Sequence, residues 1–333
     1  MIIKHAVLHI LDKDAGHLVT SQGELQLGQS GIHEYLENMV AKLEQGDVKT
    51  GQLVATDYLA GYIDANNELS FADKTGQLAE KFFETIAAAE EIPAGDVLSF
   101  EYSEGPDDYF ALLKLNFVPR YAHNVEYQDD VMVNNLVLNQ AILPAGSQRP
   151  DEGIIVNLMT GEYMLTEKRY LVDGHRVNNF SERFLELSPE DSNKVQLTEV
   201  KKAVKTVADK YDVPLHEAFA KAQESVFEQI SDSEILNVKD VSAKVFEQNI
   251  AAREDFQRVI AEKEVEPEIT IANPAKYEKK FAVQRFKLDS GIEISIPTTI
   301  FHDKSKVEII NNPDGSLSLI LKDIESIMNK FNG

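Results

Sequence analysis

The chain has 333 residues, with 33 lysines and arginines against 56 aspartates and glutamates, a formal charge of −23. Its 43% hydrophobic and 27% charged residues are ordinary for a folded protein long enough for two domains and a sizeable core. The absence of cysteine excludes disulfide staples, thiolate zinc sites and cysteine nucleophiles, and fits a reducing compartment. Met1 to His5 lack the basic start and apolar run of a secretory signal, and no apolar run approaches the ~18 residues of a membrane span. The expectation is a protein neither exported nor membrane-spanning.

Residues 2–11 are apolar on both alternating faces, which predicts a strand covered on both sides. Turn residues follow at 12–16, and residues 17–19 and 24–27 read as short return strands. Ser30 reads as the N-cap of a helix whose stripe of Ile32, Tyr35, Leu36, Met39, Val40 and Leu43 ends near Gly46. A second helix is expected from about Lys74 to Glu90, stopped by Pro93 and Gly95. Apolar runs at 97–102 and 109–115 flank residues 104–108, a hairpin signal with a five-residue loop. Further runs at 131–133, 135–143 and 153–158 follow without long helical crossovers, so the sheet is expected to be antiparallel.

Residues 167–187 join a strand end, a glycine turn, a basic cluster and an amphipathic stretch. Val177, Phe180, Phe184 and Leu187 recur at spacings of three and four, which predicts one face of a helix. Lys168, Arg169, His175 and Arg176 crowd the turn, with Arg183 seven residues further on. Two readings stand. The cations pair with Glu167, Asp173 and Glu182 on a solvated surface, or they make an anion-facing patch at a helix start, where backbone N–H groups add to the attraction.

Ser188 to Asp191 carry capping chemistry and mark a boundary. Helical stripes follow: Val200, Val204, Val207 and Tyr211, then Leu215, Phe219, Ala222, Val226 and Ile230 behind Pro214. Asn237, with Asp240 three residues on, reads as a cap ahead of Val241, and Phe256, Val259 and Ile260 give a last short helix. These helices carry Glu224, Glu228, Glu247, Glu254 and Asp255 among their lysines, which favours packing or partner contact over insertion into a DNA groove. Pro267 and Pro274 bracket a connector. Runs at 281–288, 292–296, 307–310 and 317–321 read as strands with a turn at 311–316, and Ile324, Ile327, Met328 and Phe331 as a terminal helix. The second basic cluster lies here: Lys276, Lys279, Lys280, Arg285 and Lys287, with Lys304 and Lys306 nearby.

The expected class is therefore α+β: mainly antiparallel sheet with flanking helices over 1–188, a helical segment over 189–265, and a C-terminal β-hairpin unit with a terminal helix over 266–333.

The segment Arg169, Tyr170, Leu171, Gly174, Arg176, Val177, Phe180, Phe184 and Leu185 resembles the central segment of the bacterial 37-kDa nucleoid-associated protein family. Two distant segments agree in order, the Ala6-Val7-Leu8-His9 strand and the block from Ile292 to Leu321. The resemblance implies a cytoplasmic, nucleoid-localised protein associated with DNA. It implies no catalytic residues.

Chemistry of other kinds finds little support in the residues. Gly23, Gly28 and Gly31 are too far apart for a dinucleotide fingerprint, and no serine sits in a Gly-x-Ser-x-Gly elbow. His5 and His9 share a strand face but stand roughly 13 Å apart, too far to share a metal ion. The acidic doublets Glu90-Glu91, Asp107-Asp108 and Asp129-Asp130 fall at helix ends or turns. No cofactor, metal or enzymatic activity is expected; size alone speaks for an enzyme.

Two functions remain in view. In the first, Lys168, Arg169, His175, Arg176, Arg183, Lys279, Lys280 and Arg285 contact the phosphates of DNA without reading sequence. In the second, an acidic interaction protein docks on basic DNA-handling enzymes and does not touch DNA, steered by the charge of −23. Through Asn116 the acids outnumber the bases by twenty to seven, so a DNA-binding surface is expected to be a local patch away from this part. Homodimerisation is a further expectation.

Overall fold

The computed structural model describes residues 1–326 and 328, apart from 88, 90, 129 and 173; for Gln128 and Asn311 it describes the backbone only. The chain divides into two compact units, Met1–Ser192 and Asn193–Gly333. The segments read as 189–265 and 266–333 both fall almost wholly within the second. The class is α+β, as the sequence predicts.

The first unit runs β1 (Ile2–Asp12), β2 (His17–Val19), α1 (Ile32–Glu44), β3 (Lys49–Gln52), α2 (Tyr58–Ile63), α3 (Phe71–Ala87), β4 (Gly95–Glu104), β5 (Asp107–Asn116), β6 (Arg120–Gln128), β7 (Val131–Asn139), β8 (Glu152–Asn157), β9 (Glu162–Thr166), β10 (Tyr170–Val172) and β11 (His175–Val177). A π-helix over Asn179–Leu185 closes it. Seven strands form one sheet in the order β2-β1-β4-β5-β8-β9-β3, and every pairing in it is antiparallel.

This sheet is buried on both faces, which explains why its strands read as continuous apolar runs and not as alternation. Val97, Phe110, Leu112, Ile154 and Val156 pack with Leu78, Phe82 and Ile86 of α3 and with Phe180 and Phe184 of the π-helix. Their neighbours Leu98, Ala111, Leu113 and Ile155 point the other way, onto Leu36, Met39, Val40 and Leu43 of α1. Successive side chains on a strand alternate faces, so one strand serves two cores.

Several local expectations are corrected. The β4–β5 loop has two residues, Gly105 and Pro106, because pairing continues to Glu104 opposite Asp107. Residues 24–27 form no strand; a single backbone bond, Leu25 N–H to the Ala6 carbonyl, holds them on β1. Gly31, with φ of 88°, stands at the N-cap of α1 where Ser30 was expected. The run at 131–143 does not extend the main sheet, since β7 pairs with β6 in a separate two-stranded sheet. Strands β3 and β9 escaped the sequence reading because Lys-Thr-Gly-Gln and Glu-Tyr-Met-Leu-Thr are short and weakly patterned.

The second unit runs α4 (Asn193–Lys210), α5 (Leu215–Ser233), β12 (Ile235–Asn237), α6 (Val238–Val245), α7 (Ile250–Glu262), β13 (Glu268–Thr270), α8 (Pro274–Phe281), β14 (Val283–Lys287), β15 (Glu293–Pro297), α9 (Thr298–Phe301), β16 (Val307–Asn311) and β17 (Leu317–Leu321). Asn237 caps α6 as its spacing predicts, its side chain accepting from the Lys239 N–H. The helical core extends past the expected boundary near 265. Val265, Ile269, Ile271 and Tyr277 pack in the same cluster as Val200, Val204, Val241 and Phe256. Helix α8 begins where the expected connector ends, its start fixed by the Asn273 side chain, which accepts from the Lys276 N–H, and by Pro274 in the first turn. Residues 322–326 have no regular structure, and Ile327 and Phe331 of the expected terminal helix lie outside the described residues.

Candidate nucleic-acid interface

In the first unit, β10 and β11 form a short antiparallel hairpin pairing Tyr170 with Val177 and Val172 with His175. The turn places Lys168, Arg169, His175 and Arg176 on the surface, as the sequence predicts, but most of their charge is already engaged. Lys168 Nζ lies 2.7 Å from Asp151, and Arg176 Nη1 lies 3.8 Å from Glu91 Oε2. The same Glu91 carboxylate accepts the Leu171 N–H at 2.8 Å. Arg169 donates to the Arg176 carbonyl at 2.7 Å and Arg176 donates back to the Arg169 carbonyl at 3.2 Å, so the two guanidinium groups brace the hairpin. His175 and Arg183 are exposed, with no carboxylate within ion-pair distance among the described residues.

The helix start behind this hairpin holds an anion from the protein itself. Glu167, whose side chain is 1% exposed, pairs with Lys49 at 2.9 Å. It also accepts the Ser181 N–H at 2.9 Å and the Ser181 hydroxyl at 2.8 Å. The carboxylate thus occupies the place that an external phosphate was expected to take. The helix is also of another kind. Its wider turn, with i→i+5 bonding, turns Phe180, Phe184 and Leu185 inward together, while Val177 belongs to β11.

The second cluster has a different character. Lys279 and Lys280 stand in the last turn of α8, and Arg285 points outward from β14. Lys280, Arg285 and Lys287 line a cleft of about 1220 Å³, together with Lys194 and Lys201 from α4. Among the described residues Asp289 is the one acidic side chain lining it, against these five bases. In a chain of −23 this is a local inversion of charge. Among the described residues no carboxylate lies within 4.0 Å of Lys201, Lys280 or Arg285, and Lys287 approaches Glu293 at 3.8 Å between two well-exposed side chains.

Apolar and aromatic groups make the floor: Phe219 from α5, Phe281 at the end of α8, Phe286 from β14 and Leu317 from β17. Lys201 Nζ sits 5.1 Å from the centre of the Phe219 ring, and Lys280 Nζ 5.3 Å from that of Phe281. Aromatic faces hold these ammonium groups at the rim without neutralising them.

Lys279 stands beside the cleft without lining it. The sequence reading missed Lys194 and Lys201. Their signal was present: they are seven apart on α4, two turns, with Leu197 and Thr198 between them on the same stripe. Phe219 and Phe286 were read as core residues and as strand residues, and their half-buried state makes them floor.

Among the described residues no group of three or more His, Cys, Asp or Glu side chains is placed to hold a metal ion. Likewise, no helix among them is long and apolar enough to cross a membrane. A family model described as nucleoid-associated protein YejK matches residues 7–329. No curated protein matches the chain significantly.

Proposed function

The chain belongs to the nucleoid-associated protein family matched by residues 7–329, and from that premise we propose that it binds DNA without reading sequence, through the cationic cleft of its second unit. One observation carries this reading: five bases against one acid line a cleft in a chain whose overall charge is −23. Phosphate neutralisation by lysine and arginine supplies most of non-specific affinity and carries no sequence information. Screening over about 8 Å at physiological salt lets such a cleft act against an acidic body. The aromatic floor offers stacking surface to an unpaired base, which is tolerant of sequence. The reading places the protein at the nucleoid, within the cytoplasm, and assigns it no catalytic step.

The first unit favours a complementary role. Its acids outnumber bases by twenty to seven through Asn116, and Asp151 and Glu91 counter Lys168 and Arg176. Such a surface steers cationic, DNA-handling proteins toward it. The two roles belong to separate units and do not compete.

The deciding measurement is fluorescence anisotropy of the full chain with duplexes of several unrelated sequences, across 50 to 200 mM salt. Binding of equal strength to all sequences, falling steeply with salt, is expected. If all five bases contact phosphates, the log–log slope is about −4.5. Affinity that ignores salt, or that survives unchanged when Lys280 and Arg285 are both replaced by alanine, removes the cleft from the function.

A further inference from the structure

Among the described residues the β6–β7 hairpin pairs with no other strand of the first unit, only with itself from Arg120 opposite Asn139 to Gln128 opposite Val131. Cross-strand partners share a face. One face therefore carries Tyr121 and Leu138, His123 and Leu136, Val125 and Asn134, Tyr127 and Met132. Every one of these eight residues is exposed, with Leu136 and Tyr127 at 76% and Tyr121 at 71%. The opposite face is mixed, with Ala122, Val131, Val133 and Val137 beside Arg120, Glu126 and several amides, and there Asn124 and Asn135 donate to the two oxygens of Glu126 at 2.7 and 3.1 Å. The formal charges of the two strands thus lie on the opposite face, and the first face is both uncharged and bare.

A two-stranded hairpin by itself is marginal in water, and an apolar face of this size marks an interaction surface. We propose that it is covered by the same face of a second copy of this chain, the two arms stacking face to face about a two-fold axis. Charge selects this occupant. The two strands carry one arginine and one glutamate, Arg120 and Glu126, and the register puts both on the opposite face. Two molecules of −23 repel each other wherever acidic surfaces meet, and the uncharged face lets them approach without that penalty. The face is also self-complementary, as a two-fold interface requires. Antiparallel stacking sets Tyr127 and Met132 at the tip of one arm over Tyr121 and Leu138 at the base of the other, with an aromatic and an aliphatic group at both ends. Nine residues per strand make an arm of roughly 30 Å, and two such faces bury on the order of 1,000 Å², the lower bound for a specific association.

The experiment is sedimentation equilibrium of the full chain without DNA. The wild type is expected at twice 37.3 kDa at micromolar concentration, and Leu136→Asp and Tyr127→Asp are expected to weaken association at least tenfold. Asn124→Ser, on the opposite face, is expected to remain dimeric. Because the chain contains no cysteine, His123→Cys near the axis gives a second reading that needs no loss of association. It is expected to form an intermolecular disulfide under mild oxidation, whereas Asn139→Cys on the opposite face is not. A monomeric wild type, a Leu136→Asp variant that stays dimeric, or a monomer that sediments with neutral phospholipid vesicles through this face would overturn the proposal. None of these outcomes depends on whether the cleft of the second unit binds DNA.

Discussion

Lys114 Nζ lies 3.5 Å from Glu152 Oε2 across the neighbouring strands β5 and β8, and neither side chain is exposed to solvent. The ammonium also donates to the Pro93 carbonyl at 2.8 Å and to Asn116 Oδ1 at 2.5 Å. Burial pushes the Glu152 carboxyl up and the Lys114 ammonium down, and each partner opposes the other's shift. The pair is tolerable only as a pair. Lys114→Ala is expected to cost about 3–5 kcal/mol by leaving a buried carboxyl without its counter-charge. Replacing both by apolar residues of similar volume, Lys114→Met with Glu152→Leu, is expected to cost less than either single change. Urea unfolding of the three variants checks this.

His9 provides an acid-sensitive tie between β1 and α3. Its Nδ1 accepts the Ser21 N–H at 3.1 Å, so Nε2 carries the ring proton and donates to Thr75 Oγ1 at 2.9 Å. Burial lowers its pKa from 6.5 to about 4. The unfolded chain then binds a proton that the folded one refuses, so stability is full above pH 6.5 and declines as pH falls toward 4. A plot of melting temperature against pH is expected to fall over that window, and His9→Gln is expected to flatten it.

Asp96 has the opposite sign. Burial, reinforced by the nearby Asp12 carboxylate, raises its pKa from 3.8 to about 7. The folded state holds the proton more tightly, so this group's stabilisation is present below pH 3.8 and is lost as pH rises through 7. Asp96→Asn is expected to gain on the order of 2 kcal/mol at pH 8 and little at pH 4. Melting temperatures at the two pH values decide it.

The two basic clusters predict different salt responses. Arg285 has no carboxylate partner among the described residues, so Arg285→Ala is expected to reduce the salt slope of DNA binding by about one. Arg176 faces Glu91 at 3.8 Å and braces the β10–β11 hairpin. Arg176→Ala is therefore expected to change the slope by much less than one. Equal effects from the two variants would return the first cluster to the binding surface.

By itself the sequence determined what depends on local pattern. The α+β class, the antiparallel pairing, the Asn237 cap and the inward Phe180 and Phe184 follow from periodicity and turn chemistry, which act over a few residues. Both basic clusters were legible, because charge sign is a property of composition. Only the tertiary structure decided which cations remain available. Asp151 is 17 residues from Lys168 and Glu91 is 85 from Arg176, and no local pattern states that they meet. In the same way, folding brings Lys194 and Lys201 to the rim that holds Lys280 and Arg285. The bare face of the β6–β7 arm was hidden for a related reason: the run at 131–143 read as part of the main sheet, residues 120–128 gave no strand signal, and only the fold shows that none of the described residues covers the face. Periodicity tells which side chains share a face. What lies opposite that face is set by contacts between residues far apart in the chain.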